Sequence, residues 1–114
     1  METEIKTRIM AGLAFAQVEA HESSQRHGYW EKNRNMAEVF ALIHRDASRA
    51  LETITMGDGP SSKLKDCTRA EEALADIFIR IFDVAAGKKL HIAPAVIAKM
   101  EYNEQLSKAL RKDF

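Results

Sequence analysis

A single cysteine among 114 residues leaves no internal disulfide to draw. Neither sign of charge predominates: seventeen basic and seventeen acidic side chains give a formal charge of zero, so composition supplies no footprint for nucleic acid and no patch for a membrane surface. No apolar run approaches the ~20 residues of a membrane span or carries the flanks of a signal peptide, and the cytoplasm is the default location. Cys67 has no CxxC neighbour. The four histidines, His21, His27, His44 and His91, are scattered, and "HESSQ" at 21–25 lacks the second histidine of a zinc-protease HExxH. No Ser-His-Asp order is set in a nucleophile elbow. Zinc chemistry and nucleophilic catalysis are therefore not expected, nor are nucleic-acid or membrane partners.

What the chain does hold is helical periodicity almost throughout. From Thr3 to about Gln25, Ile5, Ile9, Leu13, Ala16 and Ala20 recur every three or four residues, one stripe of an amphipathic helix closed by Gly28. From Asn35, a candidate N-cap, to Ile54, the set Met36, Val39, Phe40, Ile43, Ala47, Ala50, Leu51 and Ile54 marks a second helix. "TMGDGPSSKLKDC" at 55–67 is a loop by its turn residues and the best candidate for a mobile segment. "TRAE" at 68–71 has capping-box spacing, Thr68 with Glu71, and opens a third helix ending at Gly87. Its residues Leu74, Ile77, Phe78, Ile81, Phe82, Val84 and Ala85 cover more than one stripe, which predicts burial on two sides, one of them by a second chain. A fourth helix starts near Pro94, a first-turn position, and carries Val96, Ile97, Met100, Leu106 and Leu110. The expected fold is one all-α domain over 1–114, a bundle of about four helices whose core is completed by dimerisation.

The chemistry sits in the middle helices. "LIHRDASRALE" at 42–52 places Asp46 and Arg49 three residues apart, and the third helix places Ala73 and Asp76 at the same spacing. Residues three apart share a helix face, so on two antiparallel helices these four positions can meet across a pocket. Four carboxylates there would form a hard oxygen cage for magnesium, with sites left for water and phosphate oxygens.

At this point the sequence resembles the MazG-like all-α nucleoside triphosphate pyrophosphohydrolases, in the short form found in phages and bacteria. The resemblance is carried by "HGYW" at 27–30, "AEVFALIH" at 37–44, "SRALE" at 48–52, "LADIFIRIFDVA" at 74–85 and "AKMEYN" at 98–103, in order and at the family's spacings over roughly residues 14 to 105. It implies an ExxE pair on one helix and an ExxD pair on the next as metal ligands, which by position are Asp46, Arg49, Ala73 and Asp76. Only Asp76 keeps the family's residue. The set carries one negative charge net instead of four, and the Arg49 guanidinium repels a divalent cation at short range. Past "YN" the family continues with an arginine and a His-Gly-Lys tail, whereas Leu106, Leu110 and Arg111 occupy the positions of the arginine, histidine and glycine.

Plainer readings stand beside these. Asp46 with Arg49 is equally a helix-surface ion pair of about 0.2 to 0.5 kcal/mol. Glu72 with Asp76 could join Asp46 as a substitute metal set, but a first-turn glutamate is favoured by the helix dipole alone. Trp30 either covers the end of the core or stacks on a ligand. Lys99 and Asn103, four apart, match positions the family uses near phosphates, or simply line an exposed face. Three functions follow. The favoured one is a pseudoenzyme, a dimer or tetramer that binds a nucleotide or other phosphate-bearing small molecule through Trp30, Arg49, Lys99 and Asn103, with no cofactor and at most weak metal at Asp46 and Asp76. The second is an active pyrophosphohydrolase that uses Asp46, Glu72 and Asp76 with magnesium to release pyrophosphate. The third is a helical interaction module whose cleft has filled in.

Overall fold

In a computed structural model, which describes residues 1–109, the chain forms four helices and, among the described residues, no strand. They are α1 (Thr3–Arg26), α2 (Met36–Met56), α3 (Arg69–Gly87) and α4 (Ile92–Ala109). None is long and apolar enough to cross a membrane.

Local chemistry sets the ends. The Asn35 side chain accepts from the backbone N–H groups of Ala37 and Glu38, satisfying two of the donors that a helix start leaves free. Thr68 and Glu71 complete the reciprocal capping box at the start of α3. Gly28, at φ +82°, closes α1: Tyr29 N–H reaches Ser24 O and Gly28 N–H reaches Gln25 O, a turn that favours a residue without Cβ. Helix α3 ends at Gly87, as the sequence leads one to expect, but that glycine is not the residue that turns the chain. The left-handed residue there is Lys89, at φ +58°, and the closing bonds run from Leu90 to Ala85 and from Lys89 to Ala86. Gly87 is still inside the helix, for a reason that lies in the packing. Helix α4 begins at Ile92, two residues before Pro94, whose missing N–H falls among those a first turn leaves unbonded anyway.

The principal packing pairs are α2 on α3, α3 on α1, and α1 on α4, so the helices follow one another across the molecule as α2, α3, α1, α4. The apolar core is thin and made mainly of small residues: Val39, Ala50, Ala70, Ala73, Val84, Ala85, Ala93 and Ile97. Small side chains let the α2 and α3 backbones approach closely. The broad stripe expected on α2 divides: Val39 and Ala50 are buried with Asp46 and Thr53, while Phe40, Ala47, Leu51 and Ile54 are exposed. On α1, Ile9, Leu13, Ala16 and Ala20 are half-buried and Ile5 is exposed; on α4, Ile97 is buried, whereas Met100 and Leu106 are exposed. Leu110 and Arg111 lie outside the described residues.

The segment 57–67 is fastened at its base. Ser61 N–H donates to Cys67 O and Arg69 N–H to Gly59 O, both at 2.8 Å. The Arg69 guanidinium holds Gly57 O at 2.9 Å, and Asp58 Oδ1 accepts from Gly59 and Ala70 N–H. Turn residues made this segment a loop, and its own hydrogen bonds give it a definite shape.

Candidate functional site

Helices α2 and α3 run antiparallel, because Asp46 meets Arg80 while Arg49 meets Asp76 and Glu72. Asp46 and Asp76 face a common seam, as their spacing suggests. What stands between them is Arg49. Its Nη2 lies 3.0 Å from Asp76 Oδ2 and 3.3 Å from Asp46 Oδ1, and its Nη1 lies 4.0 Å from Glu72 Oε2. Asp46 has no solvent exposure at all and is the largest side chain so enclosed. Such a carboxylate requires compensation. Arg45 donates to Oδ1 through Nε and Nη2 at 3.2 and 3.1 Å, and Arg80 Nε donates to Oδ2 at 3.2 Å. Glu72 accepts from the Ser61 hydroxyl at 2.7 Å. Three carboxylates and three guanidiniums thus cancel within one cluster, with Lys63 Nζ a further 4.0 Å from Glu72.

These residues do not fit a magnesium ion. Each carboxylate already has a cationic partner, and Ala73, fully buried in the same seam, supplies no oxygen. Among the described residues no group of three or more His, Cys, Asp or Glu is arranged to hold a metal. The surface beside the cluster is a pocket of about 290 Å³ lined by Arg49, Glu52, Thr53, Ser62, Lys63, Arg69 and Glu72, at the lower edge of the sizes usual for small-molecule sites. Arg49 Nε is buried without a hydrogen-bond partner, so this guanidinium has not used all its donors.

The other sequence-selected residues lie elsewhere. Lys99 and Asn103 are on α4, which packs on α1, and neither lines the Arg49 pocket. The Lys99 ammonium sits 4.6 Å from the centre of the Tyr102 ring. Trp30 belongs to a second cluster that sequence reasoning missed, built on Asp83 of α3. Its indole N–H donates to Asp83 Oδ1 at 2.9 Å and to Ser24 Oγ at 3.0 Å. Arg34 lies 5.0 Å from its ring centre, His21 meets it edge-on at 5.1 Å, and a Cβ at Gly87 would come within 2.3 Å of it. A ring so surrounded is a packing element.

Asp83 is buried and gathers donors from two parts of the chain: His21 Nδ1 at 2.9 Å and Ser24 from α1, and Trp30 and, at 2.6 Å, Arg34 from the connection between α1 and α2. Burial alone pushes its carboxyl up, but the bonds from His21, Ser24, Arg34 and Trp30 outweigh that and hold it below the ordinary aspartate value. The one sequence signal for this cluster was an aspartate inside the apolar run "IRIFDVA", a polar residue where the core pattern asks for an apolar one. Comparison with protein-family models, characterised proteins and solved structures finds no match for this chain.

Proposed function

We propose that this chain binds a phosphate-bearing small molecule, such as a nucleotide, in the cleft beside α2 and α3, without metal and without hydrolysing it, as a silent relative of the MazG-like pyrophosphohydrolases. The observation that carries the reading is the Arg49 guanidinium lying between Asp46 and Asp76. In the enzymes that the sequence resembles, a divalent cation would neutralise such carboxylates and present positive charge to phosphate. Here a side chain does the first, and its partly exposed guanidinium lines the pocket in which a phosphate would sit. A guanidinium fork matches a phosphate better than a point charge does, and Lys63 and Arg69 add two cations to the same pocket. Glu52 and Glu72 limit how much anionic charge the pocket accepts, which favours a short phosphate over a long polyphosphate chain. The lone thiol, Cys67, fits a reducing compartment such as the cytoplasm.

The test is calorimetric titration with pyrophosphate and with nucleoside mono- and triphosphates, in chelator and again in magnesium. Binding should occur in chelator, change little with magnesium, and weaken at least about tenfold in Arg49→Ala, as loss of a charged hydrogen-bonding group implies. Binding that appears only with magnesium, or pyrophosphate release by the parent chain, would refute the reading.

A further inference from the structure

The pocket beside Arg49 is walled by two kinds of side chain, and a bare anion would use only one of them. Arg49, Lys63 and Arg69 can donate to phosphate oxygens, whereas Glu52 and Glu72 can only accept while ionised. Thr53 joins the acceptors, because its hydroxyl hydrogen is already given to the α2 backbone at Arg49 O and Ala50 O. The two acids are held differently. Glu72 is mostly covered, accepts from Ser61 at 2.7 Å and lies 4.0 Å from both Arg49 Nη1 and Lys63 Nζ. Glu52 is exposed and, among the described residues, its carboxylate has neither an ion pair nor a hydrogen-bonded donor. It stands three residues on from Arg49, about 4.5 Å along the axis of α2, and on the same face. No residue lining this pocket is aromatic or a large aliphatic, so the stacking that usually grips a nucleobase has no platform here. Trp30, the ring that might have served, is tied to Asp83 in the other cluster.

We infer that this pocket takes a phosphorylated sugar or polyol, with its phosphate on Arg49 and Lys63 and its hydroxyls on Glu52 and Thr53. This rests on the phosphate-binding reading above and narrows its ligand to one without a base. A sugar hydroxyl is a donor that carries no charge for the acids to repel, and an ionised carboxylate is among the strongest acceptors it can meet. A phosphate monoester, with a charge of about −1.5 to −2, meets three cations offset by two acids. A polyphosphate would add charge without adding partners. The volume of about 290 Å³, at the lower edge for small-molecule sites, suits a compact ligand of this kind.

Calorimetric titration in chelator tests it, with inorganic phosphate, glycerol 3-phosphate, glucose 6-phosphate, ribose 5-phosphate and adenosine 5′-monophosphate as probes. At least one of the three polyol phosphates should bind about tenfold more tightly than inorganic phosphate, the worth of roughly one or two added hydrogen bonds to charged groups. Adenosine monophosphate, which sets a base on the ribose 5-phosphate frame, should bind no more tightly than ribose 5-phosphate itself. Glu52→Ala, at an exposed helix position, should weaken the best polyol phosphate while leaving inorganic phosphate as tight or tighter; loss of a repelling charge alone would tighten both. Polyol phosphates that bind no better than inorganic phosphate, a base that adds affinity, or a Glu52→Ala variant that does not weaken the best polyol phosphate would each overturn this inference. The phosphate-binding reading survives those outcomes if Arg49→Ala still weakens the probes that bind, whereas no binding by any probe overturns both.

Discussion

At the scale of single residues, the side chains that hold this fold in register are polar. Asp83 joins α1, the α1–α2 connection and α3 at one buried carboxylate. Replacing it with alanine strands Arg34, whose side chain is itself mostly covered, and should cost about 3 to 5 kcal/mol near neutral pH. The sign of the pH dependence follows from the depressed carboxyl. A group whose pKa is lower folded than unfolded contributes its full stability above the unfolded value, about 3.9, and loses it as pH falls through the folded value. The stability gap between parent and Asp83→Ala in urea titrations should therefore narrow below about pH 4; a gap that stays constant down to strong acid would contradict this account. Gly87→Ala sets two effects against each other. Helix propensity favours alanine by about 1 kcal/mol, but the new methyl would meet the Trp30 ring at 2.3 Å, and that ring is pinned by Ser24 and Asp83. Overpacking of about 1 to 3 kcal/mol should win, lowering the denaturation midpoint. A variant as stable as the parent would show that the ring can yield.

At the scale of elements, the α2–α3 seam decides whether the site can accept metal. Arg49→Glu replaces the bridging cation with a fourth acidic group beside Asp46, Glu72 and Asp76. The variant should melt lower than the parent in chelator and recover as magnesium is added, by an amount that grows with free ion as linkage requires. The parent melting temperature should not respond. No magnesium response in a folded variant would mean that Arg45 and Arg80 suffice to keep the seam closed to metal. Restoring a glutamate at position 73 is a different matter. Ala73 has no exposure, so a carboxylate there must force the two helices apart. Spacing showed that these four positions share a seam. How closely the helices approach at Ala73 was not in the spacing, because approach distance depends on which small residues meet across the pair.

At the scale of the whole molecule, the single chain is extended for its size, with a radius of gyration of 16.3 Å against about 13 Å for a compact domain of this length. Helices that follow one another in an open row leave α2 packed chiefly on α3, and the exposed Phe40, Leu51 and Ile54 of α2 and Leu74, Phe78 and Ile81 of α3 are the consequence. The second apolar stripe of α3 was legible as a two-sided pattern, as were the all-helical class, the caps at Asn35 and Thr68, and the stop at Gly28. All of these depend on residues within a turn or so of each other, where backbone hydrogen bonding and periodicity act directly. The tertiary structure alone decided the rest. It set Arg49 against Asp76, 27 residues away, and Trp30 against Asp83, 53 residues away. It thereby made the Asp46–Arg49 pair the centre of a charge cluster, and it set Trp30, which the sequence left between core cover and ligand platform, half-buried against Asp83. Such partners are chosen by which helix faces meet, and side-chain type constrains that choice only after the backbones have been brought together.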